Sequence, residues 1–204
     1  MNIYKYLILL CFLFSGLHGC SLLNAQKRDA PTVFDLGPQR VYPANPQPVE
    51  TTFLISPVSA SAWLDNPGIQ YRLTYQDASR PEAYAQNRWV TTPAQLLTER
   101  VRARFAAASR GVVTAQDGAR ADYALRIELE DFSQSFNTAD SSKAVVRLRA
   151  SLIDLTTRAL HAQQSFSAEQ SAAPDAPGAA QSLAAASEAV IEDLFRWVAQ
   201  RVKP

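Results

Sequence analysis

Three runs of the chain alternate apolar and polar residues with period two. Ile69, Tyr71, Leu73 and Tyr75 alternate with Gln70, Arg72 and Thr74. Tyr123, Leu125, Ile127 and Leu129 alternate with Ala124, Arg126, Glu128 and Glu130. Ala144, Val146, Leu148, Ala150 and Leu152 alternate with Val145, Arg147, Arg149 and Ser151. Alternation of this kind predicts strands with one buried face. Shorter apolar runs predict strands over 33–36, ended by Gly37-Pro38, and over 52–56, limited by Pro57. Others follow at 58–64 after a bulge, at 112–114 and around 160–168. Asp65-Asn66-Pro67-Gly68 is a strong turn signal, so 53–75 reads as a hairpin. The prolines at 43, 46 and 48 make 39–50 an extended loop, and 133–142 reads as a polar loop joining two strands.

Two stretches carry the helical period instead. After Tyr84–Val90, Thr92-Pro93-Ala94-Gln95 places a hydroxyl at an N-cap, proline at the first helical position and glutamine three residues on. Leu97, Val101, Phe105 and Ala108 then share a face, predicting a helix over 93–109 that Gly111 ends. Beyond the prolines of 171–178, Leu183, Ser187, Val190, Ile191, Leu194, Trp197 and Val198 trace a second stripe, for a helix over 178–202. Strands, helix, strands, helix is an α+β order. It predicts a mostly antiparallel or mixed sheet with both amphipathic helices packed on one face. The other face would be polar, with Glu128 and Glu130 across from Arg147 and Arg149.

The N-terminus reads differently. Lys5 is followed by uninterrupted apolar residues from Tyr6 to Phe14, the layout of a secretory signal peptide too short to remain as a membrane span. Leu17-His18-Gly19-Cys20 then reads as a lipobox, with Cys20 the lipidated first residue of the mature chain. An ordinary signal peptide with a chance cysteine, or a core strand, are the competing readings. The division expected is a leader over 1–19, a lipidated tether over 20–32 and one domain over 33–204. One acyl chain binds a bilayer weakly, and several anchor stably.

Composition narrows the partners. Without Lys5, the 20 Lys and Arg become 19, equal to the 19 Asp and Glu, so no basic surplus points to nucleic acid or anionic lipid. Cys11 leaves with the leader and Cys20 is acylated, so the folded part has no thiol for a disulfide or metal site. His161 is the sole mature histidine, and neither a Gly-x-Ser-x-Gly elbow nor a Gly-rich phosphate loop occurs. Glu128, Glu130 and Asp131 are the nearest thing to paired carboxylates, but alternation places the two glutamates on the solvated face and Asp131 opposite. No enzyme, cofactor or metal site is expected.

Several motifs in order carry a resemblance: the lipobox, Phe34-Asp35-Leu36-Gly37-Pro38, Leu54-Ile55-Ser56-Pro57-Val58, and Trp63-Leu64-Asp65-Asn66-Pro67-Gly68-Ile69-Gln70-Tyr71-Arg72. Trp89 with Pro93, Ala121-Asp122-Tyr123-Ala124-Leu125 leading to Asp131-Phe132, and Phe195-Arg196-Trp197 extend it. Together they resemble the ABC-type transport auxiliary lipoproteins, a family that includes the paraquat-inducible protein C type. The proline-bearing stretch 39–50 departs from the pattern.

The resemblance implies a non-enzymatic lipoprotein anchored in the outer membrane, facing the periplasm, and auxiliary to lipid transport between the envelope membranes. Ser21, rather than aspartate, after the cysteine favours that membrane in enteric-type bacteria. The implied partners are mammalian-cell-entry (MCE) domain proteins with their ABC permease and ATPase, and a homo-oligomer is compatible with such ring-forming partners. Trp63 and Trp89, near turns, are candidate partner contacts, and each also suits a core role. The rival readings are a periplasmic lipid or ligand carrier, which needs an apolar cavity, and an outer-membrane assembly lipoprotein.

Overall fold

A computed structural model describes residues 30–42 and 49–202. The leader, Cys20, the tether up to residue 29 and the proline-rich 43–48 lie outside the described residues. From Pro31 onward the chain is one compact unit.

Nine strands form one mixed, curled sheet among the described residues. They are β1 (Thr32–Phe34), β2 (Val49–Ile55), β3 (Ser59–Ala60), β4 (Gly68–Leu73), β5 (Glu82–Trp89), β6 (Ser109–Val113), β7 (Tyr123–Thr138), β8 (Ser141–Asp154) and β9 (Ala159–Ala172). Helix α1 spans Pro93–Ala106 and α2 spans Ala176–Ala199. The α+β class with two helices on the sheet is as the periodicity predicts.

The centre is β7, which is 16 residues long. One edge pairs antiparallel with β8 along its whole length, and β8 pairs with β9 in turn. The other edge takes three short strands in series, all parallel to it. Phe53–Ile55 of β2 lies opposite 123–125, Ser59–Ala60 of β3 opposite 128–129, and Gln70–Leu73 of β4 opposite 133–136. The hairpin expected over 53–75 therefore does not form. Alternation tells which face of a strand is buried, and it leaves open which edge the strand joins. β4 instead pairs antiparallel with β5, and β5 carries β1 on its far side.

The polar loop expected over 133–142 is also corrected. β7 runs to Thr138, β8 starts at Ser141, and the turn is two residues. Ser133 and Gln134 are buried, and their polar atoms are satisfied. Gln134 donates to Ser142 Oγ and to the Ala173 carbonyl, each at 2.7 Å, and accepts from the Tyr84 hydroxyl at 2.6 Å. Burial pushes the Tyr84 hydroxyl up to about 12, with the charge of Asp175 and the neighbouring Tyr71 adding to it.

Helix α1 starts where the sequence predicts. The Thr92 hydroxyl accepts from the Gln95 N–H at 3.4 Å, with Pro93 behind it. It ends at Ala106, earlier than expected, and Gly111 lies inside β6 rather than at the helix end. Helix α2 begins two residues early because Asp175 caps it, accepting from the Gly178 N–H at 2.7 Å, while Pro177 fits a first turn that needs no N–H donor. Gly178 is required there, since a Cβ would stand 2.6 Å from the Ala173 carbonyl oxygen.

Edge-to-face aromatic rings show both helices on one face of the sheet. Phe53 of β2 meets Phe105 of α1 at 5.2 Å, and Phe105 meets Phe195 of α2 at 5.1 Å. Trp197 of α2 meets Phe166 of β9 at 5.5 Å. On the other face the charge ladder forms with a shift. A bulge at Glu130 places Arg147 opposite Asp131, so Arg149 serves both glutamates, Glu128 at 2.5 Å and Glu130 at 3.6 Å. These pairs are exposed and contribute little to stability.

Candidate functional site

Between β1 and β2 the chain crosses both helices. Gly37, at φ +75°, makes the turn, and its N–H donates to Asp35 Oδ1 at 2.7 Å. Arg100 of α1 donates to the Gly37 and Pro38 carbonyls and, at 3.2 Å, to Glu188 of α2. One turn further along, Arg104 forks onto Glu192 at 2.6 and 2.8 Å. Tyr42 completes the network. Its hydroxyl donates to Glu188 at 3.0 Å, and the Arg104 guanidinium lies 4.9 Å from its ring and 3.7 Å from that of Phe195. Residues 34–42 are thus strapped across α1 and α2 by charged groups that are mostly shielded from water.

Burial pushes the Tyr42 hydroxyl up to about 12, and the hydrogen bond to Glu188 pushes the same way. The hydrogen bonds from Arg104 hold the Glu192 carboxyl below its ordinary range, against the effect of burial. A depressed carboxyl contributes stability in full above its unfolded-state value and loses it as the pH falls through the folded one. The thermal midpoint should therefore drop on acidification below the ordinary glutamate range, and Glu192→Gln should flatten that part of the profile. An unchanged profile in differential scanning fluorimetry would contradict the assignment.

Sequence reading missed this network, although a signal was present. Arg100 and Arg104 sit four apart on one helix, as do Glu188 and Glu192 on the other. Like charges at that spacing repel within a helix, so each pair implies an outside partner.

A groove of about 520 Å³ opens beside the strap, lined by Val33, Phe34 and Leu36 on one side, Val90 at the end of β5, and Ala180 and Ala184 of α2. Around Val90 it meets a second depression of about 230 Å³, which reaches Leu96, Glu99 and Arg100. Val33 and Val90 are 48% and 61% exposed, unusual for large apolar side chains. β1 forms one end of the sheet order, so its outer edge is unpaired among the described residues.

The two candidate tryptophans separate. Trp89 is 1% exposed and packs edge-to-face on Phe132 at 5.5 Å, so it is a core residue and offers no surface to a partner. Trp63 is half-buried, with the Arg72 guanidinium 4.6 Å from its ring. His161 is exposed, its ring Nε2 3.0 Å from the Arg201 carbonyl oxygen, while Glu128 and Glu130 pair with Arg149 and Asp131 accepts from the Ser133 hydroxyl. Among the described residues no cluster of His, Cys, Asp and Glu could hold a metal ion, and no helix is long and apolar enough to cross a membrane. Cys20 lies outside the described residues.

The family model for the ABC-type transport auxiliary lipoprotein component matches residues 34–196. The chain belongs to this family. The match takes in the strap, the groove lining apart from Val33, β7 and nearly all of α2. This auxiliary lipoprotein shares its fold with a Xanthomonas campestris protein of the DUF330 family, at a TM-score of 0.73 and 21% identity over 83% of this chain and 95% of that one. An uncharacterized protein matches with a TM-score of 0.64 and 14% identity, over 83% of this chain and 99% of its own. No curated protein matches the chain in sequence. The family is described by its part in transport rather than by a reaction, in keeping with a surface that offers grooves and an edge strand.

Proposed function

We propose that this auxiliary lipoprotein is held at the periplasmic face of the outer membrane by lipid on Cys20, and that it docks the far end of an MCE-domain protein served by an ABC permease and ATPase. The observation that carries the reading is the family match over 34–196. The geometry of the groove supports it. The site is open rather than enclosed, suiting a protein segment better than a sequestered lipid. The free edge of β1 offers main-chain groups to an extended partner segment, and Val33 and Val90 offer apolar contacts beside it. Trp63, outside the groove, is a secondary contact.

The experiment is capture of the MCE-domain protein after cross-linking in envelope fractions. The native chain should retain it, and a Val33→Asp/Val90→Asp variant should retain at least about tenfold less with an unchanged melting temperature, because each aspartate would lose its hydration on docking. Undiminished capture by the variant would remove the groove from the account. Stoichiometric lipid in the purified protein, with no MCE-domain protein captured, would replace docking with carriage.

A further inference from the structure

The edge of β9 away from β8 has no strand partner among the described residues, and Ser182 of α2 engages it only at the Ser171 carbonyl among the hydrogen bonds described. It is the long open edge of this sheet. β9 has 14 residues, whereas β1 at one end has 3 and β6 at another has 5. Long open edges are ordinarily blunted by lysine, proline or inward charge, because they template pairing with other chains. β9 contains no Lys, Arg, Pro or Gly. Its one acidic residue, Glu169, is already engaged by Lys143 at 2.7 Å. Leu160, near its start, is 59% exposed.

The direction of the main chain can be read from one contact. The Ser171 carbonyl accepts from the Ser182 hydroxyl at 2.8 Å, so it points away from β8. The β8–β9 register is regular from Ala162 to Ala172. Antiparallel ladders alternate inward and outward main-chain groups, so Gln163, Ser165, Ser167 and Glu169 also direct N–H and C=O outward.

We propose that this edge joins two copies of the chain through an antiparallel β9–β9 junction. Antiparallel pairing of a strand with itself is two-fold symmetric and closes with one interface. With the axis at Phe166, Ser165 faces Ser167 of the second copy, Gln163 faces Glu169, and Gln164 faces Ala168. No like charges meet, and an amide donor stands opposite each carboxylate. The four outward-facing residues of each copy make about eight main-chain hydrogen bonds across the axis. Leu160 is brought toward the far end of the other β9, which covers it. A strongly charged foreign strand finds no complement on this edge, so a second copy is the occupant that its composition fits.

The test uses the full chain purified in detergent. Ser165→Cys/Ser167→Cys should give a covalent dimer under mild oxidation, at yields well above those of the parent chain and of Arg110→Cys, which places a thiol on the β6 edge. Ser167→Pro removes an outward N–H and no hydrogen bond to β8. It should leave circular dichroism and melting unchanged while converting dimer to monomer in light scattering. Ser165→Lys, a milder change, should do the same. A monomeric parent chain, failure of the double variant to cross-link, cross-linking only to a different protein, or a dimer that survives both Ser167→Pro and Ser165→Lys would each overturn the proposal.

Discussion

Phe105→Ala is expected to destabilise the fold by about 3 to 5 kcal/mol, the range for emptying a buried phenylalanine site. Phe105 has no exposed surface and stands where three elements meet. Its ring touches Phe53 of β2 and Phe195 of α2 edge-to-face, and its helix supplies Arg100 and Arg104 to the strap. Truncation removes both ring contacts and leaves a cavity. The surroundings cannot readily collapse into it, because α1 and α2 are held at their spacing by Arg100–Glu188 and Arg104–Glu192. Domains are stable by only about 5 to 15 kcal/mol in total, so the loss is a large share. Equilibrium urea unfolding measures it, with Phe105→Leu as the milder comparison. A loss below about 1.5 kcal/mol would mean that the two helices are not seated on the sheet through this ring.

The second large effect concerns the anchor. Cys20→Ala should remove the protein from the outer-membrane fraction almost completely, with the fold intact. Each buried methylene contributes about 0.8 kcal/mol to membrane binding, so one chain holds marginally and several hold firmly. On the proposed anchoring, loss of the Cys20 thiol removes all of that at once. Net charge offers no substitute, because residues 20–204 carry 19 basic and 19 acidic side chains. The domain's described core runs from Leu36 to Val202, so the fold does not depend on residue 20. Fractionation on a density gradient reads the outcome. Continued sedimentation with outer membranes, or failure of the native chain to incorporate labelled palmitate, would sink the anchoring proposal.

Individual strands and helices were legible because burial leaves a period in the sequence. The runs at 69–75, 123–129 and 144–152 all lie in strands or begin in them, and Leu97, Val101 and Phe105 do face the core. Pairing was not legible. Nothing in Phe53–Ile55 or Gln70–Leu73 says that both lie along one edge of β7 rather than against each other. Gln134 reads as a loop residue in the sequence because its partners, Ser142, Ala173 and Tyr84, are distant in sequence or lie beyond the turn. Trp89 looked available to a partner for the same reason: its neighbour Phe132 is brought in by the fold alone. The strap depends on contacts spanning 88 residues, and only the doubled like charges on each helix hinted at it.

The arrangement around β7 also constrains how the chain can assemble. β2, β3 and β4 have their shared template in a strand that begins at residue 123, after all three in the sequence. β4 can pair with β5, and β2 with β6, before that strand exists, but the edge along which all three line up is synthesised after them. Long-range parallel pairing of this kind belongs with slow folders, in the millisecond-to-second range. Until β7 arrives, β2, β3 and β4 each keep one edge unpaired and their apolar faces uncovered, and a chain truncated ahead of Tyr123 should clump rather than fold.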